Sequence, residues 1–380
     1  LFEFLVDRVL HREYSIVSMR SRRTFLGAVF SAWAQDARWE GAFEAARDSA
    51  ANGGLVVMLG GRVVYERYYG LASAEAAPNL ASVGKAVTSA AVGILLGQKP
   101  RGLERGLDTY AFRGWLPERR GGWADIRLGH LLAMSAGVRG NNPCVRNGVE
   151  VRIDPAGPDG WEAMVDEIAL GERPDGQGRT AASLWCEPGG GYSYATSSVH
   201  LASMILRKAA GMELQEFVGR HMAGPLGWGA WNFGYRNRPL KHTPGGGGIC
   251  VAARDLAKFG EMMRRGGGRI VPGWYAKACA EASPYNPHFG YSLQWDVNAG
   301  GRVTGVPRDA FWKSGSGGHA LFVIPSLGLT AVKLGGRDEQ YLPENTGLPL
   351  GPGEGDPNLK PRLSEREGLE ETLRRLVAAA

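Results

Sequence analysis

The sequence predicts an α+β protein in which one antiparallel sheet, built from strands near both ends of the chain, is flanked by helices and interrupted by an inserted, mainly helical part. Three observations carry this reading. Two hairpin patterns lie far apart in the chain, the stretch between them is patterned for helices, and an amphipathic helix comes last.

The first hairpin pattern is Leu55-Val56-Val57-Met58-Leu59, the pair Gly60-Gly61, then Arg62 to Tyr68. Branched and aromatic residues on both sides of two glycines signal a tight hairpin, because such a turn needs positive φ at its centre. The second pattern is Ala320 to Ile324, the turn Pro325-Ser326-Leu327-Gly328, and Leu329 to Leu334. Between them, Ser82-Val83-Gly84-Lys85 opens a helix starting near Ala81, whose almost wholly apolar continuation to Leu96 predicts burial. Further helices are predicted at Ile126–Met134, Trp161–Leu170, Ser198–Ala210 and Ala253–Arg264. The last helix opens with the capping box Ser364-Glu365-Arg366-Glu367 and puts Leu369, Leu373, Leu376 and Val377 on one face, suited to packing on the sheet. The domain thus runs from 35 to 380, with a sheet part at about 41–80 and 285–380 and a helical part at about 81–284.

Residues 1–34 read as an upstream extension and an address. Met19-Arg20-Ser21-Arg22-Arg23-Thr24-Phe25-Leu26-Gly27 resembles a bacterial twin-arginine export signal, with a short apolar run to Trp33 and a small-residue site, Ala32-Trp33-Ala34, before Gln35. The expectation is an exported, periplasmic or secreted protein beginning near Gln35. No apolar run reaches the roughly 18 residues of a bilayer-spanning helix, so no membrane span is expected.

With 44% apolar residues the 380-residue chain can bury a full core. The net charge of +6 is small and scattered, which argues against a nucleic-acid partner. Cys144, Cys186, Cys250 and Cys279 show no Cys-x-x-Cys spacing, so no zinc or redox pair is indicated; free buried cysteines are expected, and any pairing is left open. No His-Glu-x-x-His or comparable ligand set occurs, and no metal or cofactor is expected. Oligomeric state is not legible.

Ser82 and Lys85, one helical turn apart, would lie on one face, close enough for the amine to act on the serine proton. A nucleophile elbow, Gly-x-Ser-x-Gly, is absent, which disfavours an α/β-hydrolase. Gly84-Lys85 is no phosphate loop either, since Asn79 replaces the first glycine and Ala86 the metal-binding hydroxyl. Two further elements stand out. Glu187-Pro188-Gly189-Gly190-Gly191-Tyr192-Ser193-Tyr194-Ala195-Thr196 delivers a tyrosine just before a helix, and Phe311-Trp312-Lys313-Ser314-Gly315-Ser316-Gly317-Gly318 places a lysine and close-approach glycines at a strand edge. His319 could touch a substrate or bond to hairpin backbone.

Ser-x-x-Lys, then a Tyr-x-Asn-like element, then Lys-Ser-Gly, in this order, resembles the serine β-lactamase and penicillin-binding-protein superfamily, in particular its class C-like branch with the family VIII carboxylesterases, D-aminopeptidases and aminohexanoate-dimer hydrolases. Supporting stretches cover most of residues 53 to 336, among them Leu128 to Gly137, Gly224 to Trp228 and Gly245 to Phe259. The resemblance implies a β-lactamase/transpeptidase-like fold. It also implies roles: Ser82 as acylated nucleophile, Lys85 as its base, Tyr194 as partner base and leaving-group acid, and Lys313 as the group that tunes Tyr194 and attracts a substrate carboxylate. Ser314, Gly315 and Thr196 would bind substrate, and the backbone N–H groups of Ser82 and Ser316 would form an oxyanion hole. Thr196 departs from the pattern, since asparagine is usual there and a threonine hydroxyl offers neither its reach nor its two donors. The expected activity is hydrolysis of a small-molecule ester or small amide; a β-lactamase or D,D-peptidase, or a slowly acylated penicillin-binding sensor of peptide-like ligands, is the alternative.

Overall fold

The structure, a computed structural model, describes residues 37–153, 184–234 and 242–380. The segment read as an export signal and the helix predicted at Trp161–Leu170 lie outside the described residues.

Helix α1 (37–47) leads into strand β1 (Gly53–Leu59), which turns through Gly60 and Gly61, at φ +57° and +88°, into β2 (Arg62–Tyr69). Helix α2 (Gly84–Gly97) follows, then α3 (Leu128–Leu132), β3 (Asn141–Arg146), β4 (Val149–Val151), β5 (Tyr192–Tyr194) and α4 (Thr196–Ala210). After these come α5 (Leu214–Val218), β6 (Trp231–Phe233), β7 (Ile249–Val251), α6 (Ala253–Arg264) and α7 (Gly273–Ala280). The chain returns to the main sheet with β8 (Asp296–Val297), β9 (Phe311–Gly315), β10 (His319–Ile324) and β11 (Leu329–Leu334), and α8 (Glu365–Ala379) comes last.

The main sheet is antiparallel in the order β2-β1-β11-β10-β9-β8. The first and last hairpins meet where β1 pairs with β11, in register from Gly54 with Leu334 to Leu59 with Leu329. Strands β1, β10 and β11 are buried along almost their whole length, and largely apolar, because both faces are covered. Leu55, Val57, Ala320, Phe322 and Ala331 pack under α1 and α8 with Trp39, Phe43, Leu373 and Leu376. Their alternates Val56, Leu321, Val323 and Val332 face the large core of α2, α4 and α6. The capping box of α8 is formed: Ser364 Oγ accepts from the Glu367 N–H, and the Glu367 carboxylate accepts from the Ser364 N–H.

The inserted part is less purely helical than its patterning suggests. It carries a small sheet, β4-β3-β5, and a two-stranded ribbon, β6-β7. These strands are three to six residues long, β3 contains Asn141, Asn142 and Pro143, and such pieces have no period long enough to read. The helix predicted at Ile126–Met134 is trimmed to Leu128–Leu132, with Met134 already at φ +59°. The four cysteines are free, three of them buried.

Candidate active site

Ser82 sits in a 3-10 turn, Ala81–Val83, that runs directly into α2. The turn is strained, since Ala81 holds φ +47° without being glycine, and it is pinned on several sides. The Ala81 N–H donates to Asn79 Oδ1 (3.0 Å), Ala81 O accepts from the Gly248 N–H (2.8 Å), and the Leu80 N–H donates to Ile249 O (2.8 Å). Gly315 of β9 closes over it: a Cβ there would lie 2.2 Å from Leu80 O, so only glycine lets the strand approach this closely. The glycine run 245–248 thus serves as the bed of the Ser82 turn.

Lys85 Nζ lies 2.8 Å from Ser82 Oγ. Its side chain is buried, 1% exposed, and burial reinforced by the positive charge of Lys313 holds its pKa well below the ordinary lysine value. An amine that gives up its proton more readily than an ordinary lysine can serve as a base, and this one is in contact with the serine hydroxyl.

Lys313 comes from β9, on the face it shares with Phe311 and away from Trp312, as strand alternation requires. It too is 1% exposed, and burial, opposed by the nearby Asp296, pushes its pKa down to about 8. Its ammonium lies 5.0 Å from the ring centroid of Tyr194, and that of Lys85 lies 5.1 Å from the same centroid. Tyr194, on β5, is therefore the phenol that both lysines approach, while Tyr192 stacks on Phe289 (4.7 Å). Lys313 donates its hydrogen bond to the hydroxyl of Tyr291 at 2.7 Å, a partner with no sequence motif around it.

These residues bottom a cleft of ≈ 650 Å³ lined by Ser82, Tyr194, Ser314, Gly315 and Ser316. Its walls add Tyr192, Phe289 and Trp312 on the apolar side, Asn141, which pairs with Tyr194 across β3 and β5, and the first turns of α8 through Glu365 and Leu369. Strand β8 reaches β9 only at Phe311 and Trp312, so beyond Trp312 the outer edge of β9 has no strand partner among the described residues. Lys85 and Lys313 lie beneath this surface and do not line it. Thr196 is half-buried in the first turn of α4 and does not line it either. Arg302 does, clamped by Asp296 (2.7 Å) with its guanidinium over Phe289 and Trp312.

The turn carrying Ser316 is tied down. The Gly317 N–H donates to Glu365 Oε1 (2.9 Å), Gly317 O accepts from the Gly336 N–H (2.7 Å), and the buried Lys333 donates to Gly318 O. His319 belongs to this support: its Nδ1 accepts from the Gly335 N–H (3.1 Å), it is 1% exposed, and burial drives its pKa down to about 3. Among the described residues, no group of three or more His, Cys, Asp or Glu could hold a metal ion, and no helix is long and apolar enough to cross a membrane.

The chain matches a known family model, Beta-lactamase, over residues 39–344. The chain belongs to that family. It is one of serine hydrolases within the serine β-lactamase and penicillin-binding-protein superfamily, and the fold is the β-lactamase/transpeptidase-like one. Solved structures share it at low identity. EstCE1, described as a hydrolase with promiscuous acyltransferase activity, is 16% identical, covers 91% of this chain and 100% of its own, and superposes with a TM-score of 0.62. A penicillin-binding protein homologue from Caulobacter crescentus is 15% identical over 90% of this chain and 98% of its own, with a TM-score of 0.63. An octameric penicillin-binding protein homologue from Pyrococcus abyssi is 18% identical over 77% and 71%, with a TM-score of 0.57. A comparison with curated proteins gave no significant match.

Proposed function

We propose that this family member is an exported serine hydrolase that cleaves an ester or small amide through an acyl-enzyme at Ser82. The observation that carries the reading is the 2.8 Å contact between Ser82 Oγ and a buried lysine whose pKa is driven well down. Lys85 takes the Ser82 proton as the oxygen attacks the substrate carbonyl, and Ser82 stands at the N-terminal end of α2, where the helix dipole favours the developing negative charge. The N–H groups of Ser82 and Ser316, both on the cleft wall, receive the carbonyl oxygen, each supplying about 3 kcal/mol to the transition state. Tyr194, flanked by two lysines, passes the proton to the leaving group; water then attacks the acyl-enzyme by the reverse route. The apolar wall of Tyr192, Phe289 and Trp312 suits an uncharged acyl or alkyl group.

The test is hydrolysis of p-nitrophenyl butyrate by the chain starting at Gln35, beside Ser82→Ala. Steady turnover lost in the variant is expected. Turnover that survives the substitution overturns the assignment, and a single stoichiometric burst followed by a stall replaces the hydrolase with a slowly acylated sensor.

A further inference from the structure

A hydrogen-bonded chain runs beneath the cleft floor and ends on Lys313. Tyr291 is 1% exposed; its hydroxyl donates to Gln294 Oε1 at 3.1 Å and accepts from Lys313 Nζ at 2.7 Å. Gln294, fully buried, donates from Nε2 to the carbonyl of Leu132 at 2.5 Å. That bond fixes the orientation of the amide, because only its nitrogen can donate to a carbonyl. Its oxygen must then face Tyr291, which turns the phenol proton toward Gln294 and the oxygen lone pairs toward Lys313. Gln294 holds this position at φ +75°, a backbone region costly for any residue but glycine.

Tyr291 does not line the cleft, whereas Tyr194 does, so Tyr291 touches no substrate and acts through the lysine. We propose that Tyr291, oriented by Gln294, is a positioning residue that keeps the Lys313 side chain charged and aimed beneath the ring of Tyr194. This rests on reading the Ser82 site as that of a hydrolase. Lys313 lies 5.0 Å from the centroids of both Tyr194 and Tyr291, Asp296 and Lys85 act on it or feel it by charge, and Tyr192 packs on Tyr291 at 5.5 Å. Burial already lowers the Lys313 pKa to about 8. Removing the acceptor nearest its ammonium favours the neutral amine and lowers it further.

The experiment is Tyr291→Phe in protein carrying [13Cε]lysine, the Lys313 signal being the one absent from Lys313→Met. That signal is expected to titrate lower in Tyr291→Phe by about one pH unit or more, with the alkaline limb of kcat/KM for p-nitrophenyl butyrate moving the same way. Gln294→Met, which frees the phenol to turn its proton toward Lys313, shifts the signal in the same direction and serves if Tyr291→Phe does not fold. Placed on Lys313→Met, Tyr291→Phe is expected to cost less than about twofold in kcat/KM, against about tenfold in the parent. A Lys313 titration unchanged in both variants, or losses that multiply in the double variant, overturns the proposal. Absence of any Ser82-dependent turnover removes the hydrolase reading alone, because the lysine titration is measured in the resting protein.

Discussion

Replacing Lys313 by Met should move the acid limb of the pH profile upward, a shift whose size follows from the geometry of the two lysines. Their ammonium nitrogens lie 5.1 and 5.0 Å from the same Tyr194 centroid, so they can be no farther apart than about 10 Å. At an effective dielectric of about 20, two positive charges at that distance repel by about 1.7 kcal/mol. Since a pKa unit corresponds to about 1.4 kcal/mol, a repulsion of this size adds to the depression at Lys85 on a scale that a pH profile can read. Burial supplies the larger part of that depression and survives the substitution. Lys313, with a pKa of about 8, is charged throughout the acidic and neutral range where the limb is read. Without it, Lys85 holds its proton to higher pH and is a base over a narrower range. In a kcat/KM profile on p-nitrophenyl butyrate the acid limb is therefore expected about one unit higher in Lys313→Met than in the parent. The height of the profile will fall as well, but the argument rests on the position of the limb. A limb that stays in place or moves to lower pH would refute the claim that Lys85 is the base and that Lys313 lowers its pKa.

Gly315→Ala should lower kcat by about tenfold or more with little loss of fold, because a Cβ placed 2.2 Å from Leu80 O must displace the strained turn carrying Ser82; steady-state kinetics beside a thermal melt separate the two effects. Leu373→Ala should cost about 2–5 kcal/mol in denaturant unfolding, since Leu373 is fully buried between α8 and the sheet. Lys313 and Lys333 are both pushed by burial from 10.5 to about 8, so the unfolded chain binds more protons than the folded one between those values. Stability from these groups is then gained as pH rises through that window and lost as it falls through about 8, so the guanidinium midpoint should climb from pH 8 to about 9.5 and climb less in Lys333→Met.

Much of this protein was legible from local chemistry. The hairpin around Gly60-Gly61, the hairpin ending at Leu334 and the capped last helix each appear within a residue or two of where patterning puts them. The Ser82–Lys85 contact was legible for the same reason: three residues along a helical turn bring two side chains onto one face whatever the rest of the fold does. Ala253–Arg264 matches its predicted bounds because its apolar face repeats over three turns. The strands β3 to β7 were not legible, being too short to show a period and held by their partners more than by their own preferences.

What the sequence alone determined was which residues could do chemistry and in which local frame each one sits. What only the tertiary structure decided was their company: that two buried lysines approach the ring of Tyr194, that Lys313 bonds to Tyr291, that Asn141 lies beside Tyr194, and that the first turns of the last helix form a wall of the cleft. The cleft they form joins segments more than 230 residues apart in the chain, such as Ser82 and Gly315 or Glu365. They exist because two sheets and a buried helix are packed against each other, and no pattern confined to one stretch of chain records which side chains that packing brings into one dry site.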